Sequence, residues 1–158
     1  MYIKPIVSEV EVYNNIEELN NDDKLLVGNA VNASENAFAP YSNFFVGAAI
    51  MLENGTIVKG NNQENSAFPS GMCAERVALY SANANFKNLK IRSIAIYAKS
   101  NSFTLKQPVF PCGACRQVMI DYELAQKEPI KVIMCSEKSE IYITKDVKTL
   151  MPLHFDSI

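Results

Sequence analysis

The longest apolar run in this 158-residue chain, Phe44 to Leu52, is far shorter than the roughly 20 residues a membrane-crossing helix needs, so no membrane span is expected. The chain opens Met1, Tyr2, Ile3, Lys4, Pro5, without a basic region leading into an apolar stretch. That start does not read as a secretory signal, and a cytoplasmic location is the expectation. Lysine and arginine are nowhere concentrated, and the formal charge is −2. Both features argue against a polynucleotide-binding face, so small molecules are the expected partners and nucleic acid is not. Internal repeats and low-complexity segments are lacking, which removes solenoid and linker architectures. Histidine occurs once, as His154, and reads as an ordinary surface or interface residue. What the chain does have is 48% hydrophobic residues, enough to build the core of one compact domain.

Residues 1–21 mix β-branched residues with a polar run ending at Asn20 and Asn21, and read as an N-terminal extension carrying at most one strand. Residues 22–158 form the single domain. From Asp22, Leu26, Ala30, Ala33 and Ala37 recur at helical spacing, with Asp22 or Asp23 as N-cap and Pro40 beyond the end. Two β-like segments, 45–52 and 56–61, flank Glu53, Asn54 and Gly55, and Asn-Gly is a strong hairpin signal. A second helix is expected from Cys73 to about Ala84, then a strand over 91–98. A third helix is expected from Gly113 to about Ala125, followed by strands over 130–135 and 141–144. Helices alternating with strands after a hairpin predict an α/β fold: a mixed sheet of about five strands covered by helices, the later strands parallel.

Two cysteine motifs carry the chemistry. Cys73, Ala74 and Glu75 open one helical pattern, and Pro111, Cys112, Gly113, Ala114 and Cys115 open another. Cys112 and Cys115, three apart, share a face on a first helical turn, and Pro111 suits that helix start. In a chain without an export signal, such a pair favours metal over disulfide. Three thiolates suit Zn²⁺, and a catalytic zinc site keeps its fourth position for water, whereas a structural one needs a fourth protein ligand. Cys135, in an apolar β-like run, reads as a buried strand residue. A zinc ion with three thiolates is formally anionic, which opposes deprotonation of a bound water unless neighbours withdraw charge. The N-termini of both helices, and donors from Arg76 and Arg116, are candidates for that compensation. Glu75 is the candidate to move the water's proton, although residues two apart on a regular helix point in different directions.

In order along the chain, the segments APYSNFFVGAA, GNNQEN, MCAERVAL and PCGACRQV resemble those of the cytidine deaminases, specifically the small homotetrameric type with three cysteine ligands. The resemblance covers residues from about Ala37 to Phe155 and implies a three-layer α-β-α fold. It further implies zinc-dependent hydrolytic deamination of cytidine and deoxycytidine to uridine and deoxyuridine, with Glu75 as proton shuttle and Cys73, Cys112 and Cys115 as ligands. Within the implied substrate site, Asn62 and Glu64 hold the sugar hydroxyls, and alternation along a strand puts both on one face with Gln63 on the other. Phe44 packs on the pyrimidine, Ala74 belongs to the same set, and Phe155 reaches the base from a neighbouring subunit, so active sites are shared in a homotetramer. The chain departs from common family sequences at Phe68, where tyrosine is frequent, and at Phe110, where serine is. Rival readings are a structural zinc module, a deaminase of another amino heterocycle such as blasticidin S, and a polynucleotide-editing deaminase. The first leaves Glu75, Asn62 and Glu64 unexplained, the sugar motif and Phe44 oppose the second, and the acidic balance opposes the third.

Overall fold

A computed structural model describes residues 1–156. Strand β1 (Glu11–Tyr13) precedes helix α1 (Asn21–Ser34). The hairpin β2 (Phe44–Leu52) and β3 (Ile57–Asn61) follows, then α2 (Ala74–Asn85), β4 (Ile91–Ser100), α3 (Gly113–Gln126), β5 (Lys131–Ser136) and β6 (Ile141–Thr144). The sheet has six strands in the order β1-β6-β5-β4-β2-β3. The strand beyond the expected five is β1. Residues of the N-terminal extension pair antiparallel with β6, Val12 opposite Tyr142, so part of that extension completes one sheet edge.

Helix α1 starts one residue earlier than expected, and its cap is Asn20, whose Oδ1 accepts from the Asp23 N–H (2.9 Å). The β2–β3 turn contains Gly55 at φ 85°, a conformation open to glycine without a Cβ penalty. Strands β4 and β5 run parallel, joined by the crossover through α3. Parallelism does not extend to β6, which is antiparallel to β5. The link between them is a short turn in which the Ser136 N–H donates to Ser139 Oγ (2.9 Å), too brief for a crossover.

Period-two alternation sorts the strand residues between two cores. Val46, Ala48 and Ile50 of β2, Ile94 and Ile96 of β4, and Val132 and Met134 of β5 pack with α2 and α3 on one face. Ala49, Met51, Ala95, Ile133 and Cys135 pack with Leu26, Val27 and Ala30 of α1 on the other. The three layers expected from the resemblance are therefore present, and Cys135 is a buried strand residue on the α1 side. Two glycines set how closely the helices lie on the hairpin. A Cβ at Gly47 would stand 2.0 Å from the Ala30 carbonyl oxygen, and one at Gly60 would stand 2.4 Å from the Ala78 nitrogen. Buried Glu123 of α3 accepts from the Ile130 N–H (2.9 Å) and the Val147 N–H (2.7 Å), fastening that helix to the start of β5 and to the chain after β6. Among the described residues, no helix is long and apolar enough to cross a membrane.

Candidate active site

Cys73 and Cys112 are the N-caps of α2 and α3, and neither spends its side chain on a capping hydrogen bond. Cys115 follows on the first turn of α3. The three Sγ atoms lie within 4.8 Å of one another, with Cys73–Cys112 at 3.9 Å and Cys112–Cys115 at 3.4 Å. Zinc holds thiolate sulfurs at about 2.3 Å in a tetrahedron, which requires sulfurs about 3.8 Å apart. The cluster fits that geometry with three ligands, and both helix N-termini point at it with their unpaired N–H groups. Proton sharing already separates the thiols. The Cys73 thiol is held down at about 5, first by a hydrogen bond from Cys115 and then by Arg76, while donating to Cys73 and burial push Cys115 up.

Glu75 sits on the first turn of α2 and is 5% exposed. Burial raises its carboxyl to about 7, against which a hydrogen bond from Cys115 works in the opposite direction. Cys73, the cap residue, has left helical geometry (φ −73°, ψ 152°), so the rule that residues two apart diverge on a regular helix does not bind this pair. Arg76 Nη2 donates to Cys73 Sγ at 3.7 Å, the sulfur contact expected of it, and its Nε is buried without a partner among the described residues. Arg116 turns elsewhere. Its Nε donates to the Pro111 carbonyl (2.8 Å) and its Nη1 to the Leu150 carbonyl (2.9 Å), tying the start of α3 to the C-terminal segment rather than to a thiolate. Two well-aligned carbonyls outcompete a soft sulfur for a guanidinium.

A cleft of about 710 Å³ opens beside the cluster, lined by Ser42, Asn62, Glu64, Phe68, Cys73 and Arg76 among others. Asn62 and Glu64 both line it, but so does Gln63, which strand alternation put on the other face: β3 ends at Asn61, before these residues, and Gln63 Nε2 donates to Asn61 Oδ1 (2.6 Å). Both sugar-site candidates also brace the backbone. Asn62 Oδ1 accepts from the Val46 N–H (2.8 Å) and its Nδ2 donates to the Phe44 carbonyl (2.9 Å). Glu64 accepts from the Tyr41 N–H (2.9 Å), the Ser42 N–H (3.3 Å) and the Ser42 hydroxyl, and these donors, the hydroxyl foremost, hold its carboxyl below the usual range. The partnership of Ser42 with Glu64 spans 22 residues, so sequence spacing held no signal for it.

Ala74 is fully buried, packed against the hairpin near Gly60. Phe44 is half-buried at the start of β2, on the sheet face that carries α2 and α3. Phe155 is 78% exposed, and its carbonyl accepts from Gln117 Nε2 of α3 (3.0 Å). Phe68 is exposed on the cleft wall, whereas Phe110 packs on Tyr142 with ring centroids 5.8 Å apart. His154 is bonded through Nδ1 to the Met151 carbonyl (3.0 Å), away from the thiol cluster's hydrogen bonds.

A family model for the cytidine and deoxycytidylate deaminase zinc-binding region matches residues 20–128. A cytidine deaminase of Halalkalibacterium halodurans is 41% identical over 100 residues, 63% of this chain and 71% of that relative. One from Mycobacterium tuberculosis (strain H37Rv) is 34% identical over 116 residues, 70% of this chain and 80% of the relative. The solved cytidine deaminase structure from Burkholderia pseudomallei superposes with a TM-score of 0.71 at 36% identity, covering 83% of this chain and 97% of that one. With three thiols in zinc-binding geometry at two helix N-termini, this chain belongs to the cytidine and deoxycytidylate deaminase zinc-binding family.

Proposed function

We propose that the protein hydrolytically deaminates cytidine and deoxycytidine to uridine and deoxyuridine, releasing ammonia, as an enzyme of pyrimidine salvage. The observation that carries this is the convergence of Cys73, Cys112 and Cys115 with a buried glutamate beside them. Bound there, zinc supplies the Lewis acidity that brings a water's pKa to about 7. Glu75 takes up the proton, delivers it to the ring nitrogen next to the amino-bearing carbon, and then serves the departing amino group. A carboxyl whose pKa stands near neutrality suits both taking and returning a proton at pH 7. Arg76, donating to Cys73, draws negative charge from the thiolate set and so favours the ionised water.

Asn62 and Glu64 hold the sugar hydroxyls, Phe44 stacks on the base and Ala74 contacts it through the backbone. Support comes from Asn62 and Glu64 lining the cleft and from Asn62 bonding the Phe44 carbonyl at the start of β2. The enzyme is a homotetramer whose sites are completed by Phe155 of a neighbouring copy. A phenylalanine 78% exposed, whose carbonyl accepts from Gln117 of α3, is consistent with that role. Residues 22–158 constitute the deaminase domain, and its action on free nucleosides belongs in the cytoplasm.

The test is ultraviolet-monitored deamination of cytidine, deoxycytidine, free cytosine and blasticidin S by zinc-loaded protein. Turnover of both nucleosides with little activity on free cytosine is expected. Inactivity on both, with zinc content verified, overturns the proposal.

A further inference from the structure

The Ser42 hydroxyl stands between the start of β2 and the Glu64 carboxylate, and it bonds to both. Its Oγ accepts from the Phe44 N–H (3.1 Å), and its proton goes to Glu64 Oε1. A hydroxyl has one proton to donate and an ionised carboxylate can only accept, so the direction of that bond is fixed. Glu64 is ionised at neutral pH, because its donors hold the carboxyl below the usual range. The Tyr41 and Ser42 N–H groups both donate to the other oxygen, Oε2 (2.9 and 3.3 Å). Two donors on one oxygen leave the direction of Oε1 open, and it is the Ser42 hydroxyl that sets it. A carboxylate offers about four acceptor sites. Three are filled here, and the fourth lies on Oε1.

Ser42 is itself held. A serine hydroxyl accepting from the N–H two residues on closes a tight turn. The residue between, Asn43, stands at φ 52° in the left-handed region, which asparagine tolerates better than most residues. The Asn43 N–H donates to the Ala39 carbonyl (3.1 Å), and its carbonyl accepts from the Asn101 N–H (3.3 Å). Glu64 is fastened independently, its N–H donating to the Phe38 carbonyl (2.8 Å) while the Phe38 N–H donates to the Asn62 carbonyl (2.9 Å). The hydroxyl therefore joins two anchored segments, and both Ser42 and Glu64 line the cleft that reaches Cys73. We propose that Ser42 is a positioning residue for nucleoside binding, whose hydroxyl aims the one free acceptor site of Glu64 at a sugar hydroxyl. The proposal rests on the reading of Glu64 as a sugar contact. It adds that this contact is set in register with β2 by two linked hydrogen bonds, from the Phe44 N–H to Ser42 and from Ser42 to Glu64.

Steady-state kinetics on cytidine for the parent, S42A, S42T, S42V, E64A and the double variant combining S42A with E64A tests this, with zinc content measured for each. Loss of a hydrogen bond to a charged group is expected to raise KM roughly tenfold in S42A, with kcat within about twofold. S42T keeps the hydroxyl and should stay close to the parent, whereas S42V has nearly the same shape without it and should follow S42A. In the E64A background S42A should raise KM no further, because a residue that acts only through another is silent once that other is gone. Parental KM in S42A overturns the role, as does a loss confined to kcat or equal KM in S42T and S42V. A full additional rise in the double variant also overturns it, since Ser42 would then act without Glu64. If S42A does not fold, the contrast between S42T and S42V decides the matter. E64A kinetics equal to the parent overturn the sugar contact and Ser42 together, whereas an impaired E64A beside a parental S42A overturns Ser42 alone. An inactive parent overturns the proposed function and the positioning role with it.

Discussion

Glu75 and the cysteines differ in what their removal should do. Glu75 contributes no thiolate, so E75A should retain zinc while losing at least about 10²-fold in kcat, the scale of general acid–base catalysis. Metal analysis beside the nucleoside assay checks this, and substantial residual turnover would mean that another group handles the proton. The cysteines separate by environment. Cys135 is buried beneath α1 with its thiol pushed up to about 12 by burial, whereas Cys112 is exposed and Cys73 is held at about 5. Reactivity follows thiolate fraction and access. After chelation of zinc, Cys73 and Cys112 should be alkylated rapidly at pH 7 and Cys135 only after unfolding, as read by peptide mass mapping. Protection of Cys112 in the chelated protein would contradict the proposed ligand set. Sequence spacing pointed to Cys112 and Cys115 because they lie on a single helical turn, whereas Cys73, 39 residues from Cys112, is brought beside them only by the fold. The same spacing misled for Arg116, whose partners Pro111 and Leu150 include a carbonyl 34 residues away.

The helices bring the site together, so changes that move an element should act on the site from a distance. Gly60 admits the backbone of α2 at Ala74 and Ala78. G60A should therefore push α2 outward, costing about 1–3 kcal/mol as overpacking and shifting Cys73 and Glu75 with it. A lower thermal midpoint at fixed zinc and protein concentration, together with weaker zinc retention, is the expected pair of readings. An unchanged midpoint would show that the helix has room to spare. At the other side of the cleft, Glu64 ties the Tyr41–Ser42 backbone to β3. E64Q turns an acceptor of three hydrogen bonds into an amide that must also donate, so nucleoside KM should rise. Kinetics equal to the parent would remove Glu64 from sugar recognition. Helix and strand positions were readable from periodicity to within a residue or two because each burial face is a local pattern, except that α1 ends at Ser34 and leaves Ala37 of the expected repeat outside the helix. The exceptions have local causes: Asn20 won the cap of α1 because its carbonyl oxygen reaches the Asp23 N–H, and β6 turned antiparallel because its connection is too short to cross the sheet.

At the scale of the whole molecule, the C-terminal segment carries the sharpest test of assembly. Phe155 stands exposed beside α3, a position that suits contact with another copy better than contact with its own domain. Truncation after His154 should leave zinc binding intact while strongly lowering activity, and sedimentation of both forms should show whether the proposed tetramer exists and needs this segment. Undiminished turnover would show that each site is complete within one chain. The division between what the linear chain carried and what folding added follows from distance along the backbone. The Cys112–Cys115 pair, the hairpin turn and the amphipathic faces depend on neighbours a few residues apart, so composition and spacing were sufficient to read them. The pairing of β1 with β6, the bond of Ser42 to Glu64, the turn of Arg116 toward Leu150 and the ring of Phe103 over that of Phe44 join residues tens of positions apart. Such contacts form only when the sheet and its covering helices bring distant segments together, because the entropy of closing those loops is repaid by burial of the common core.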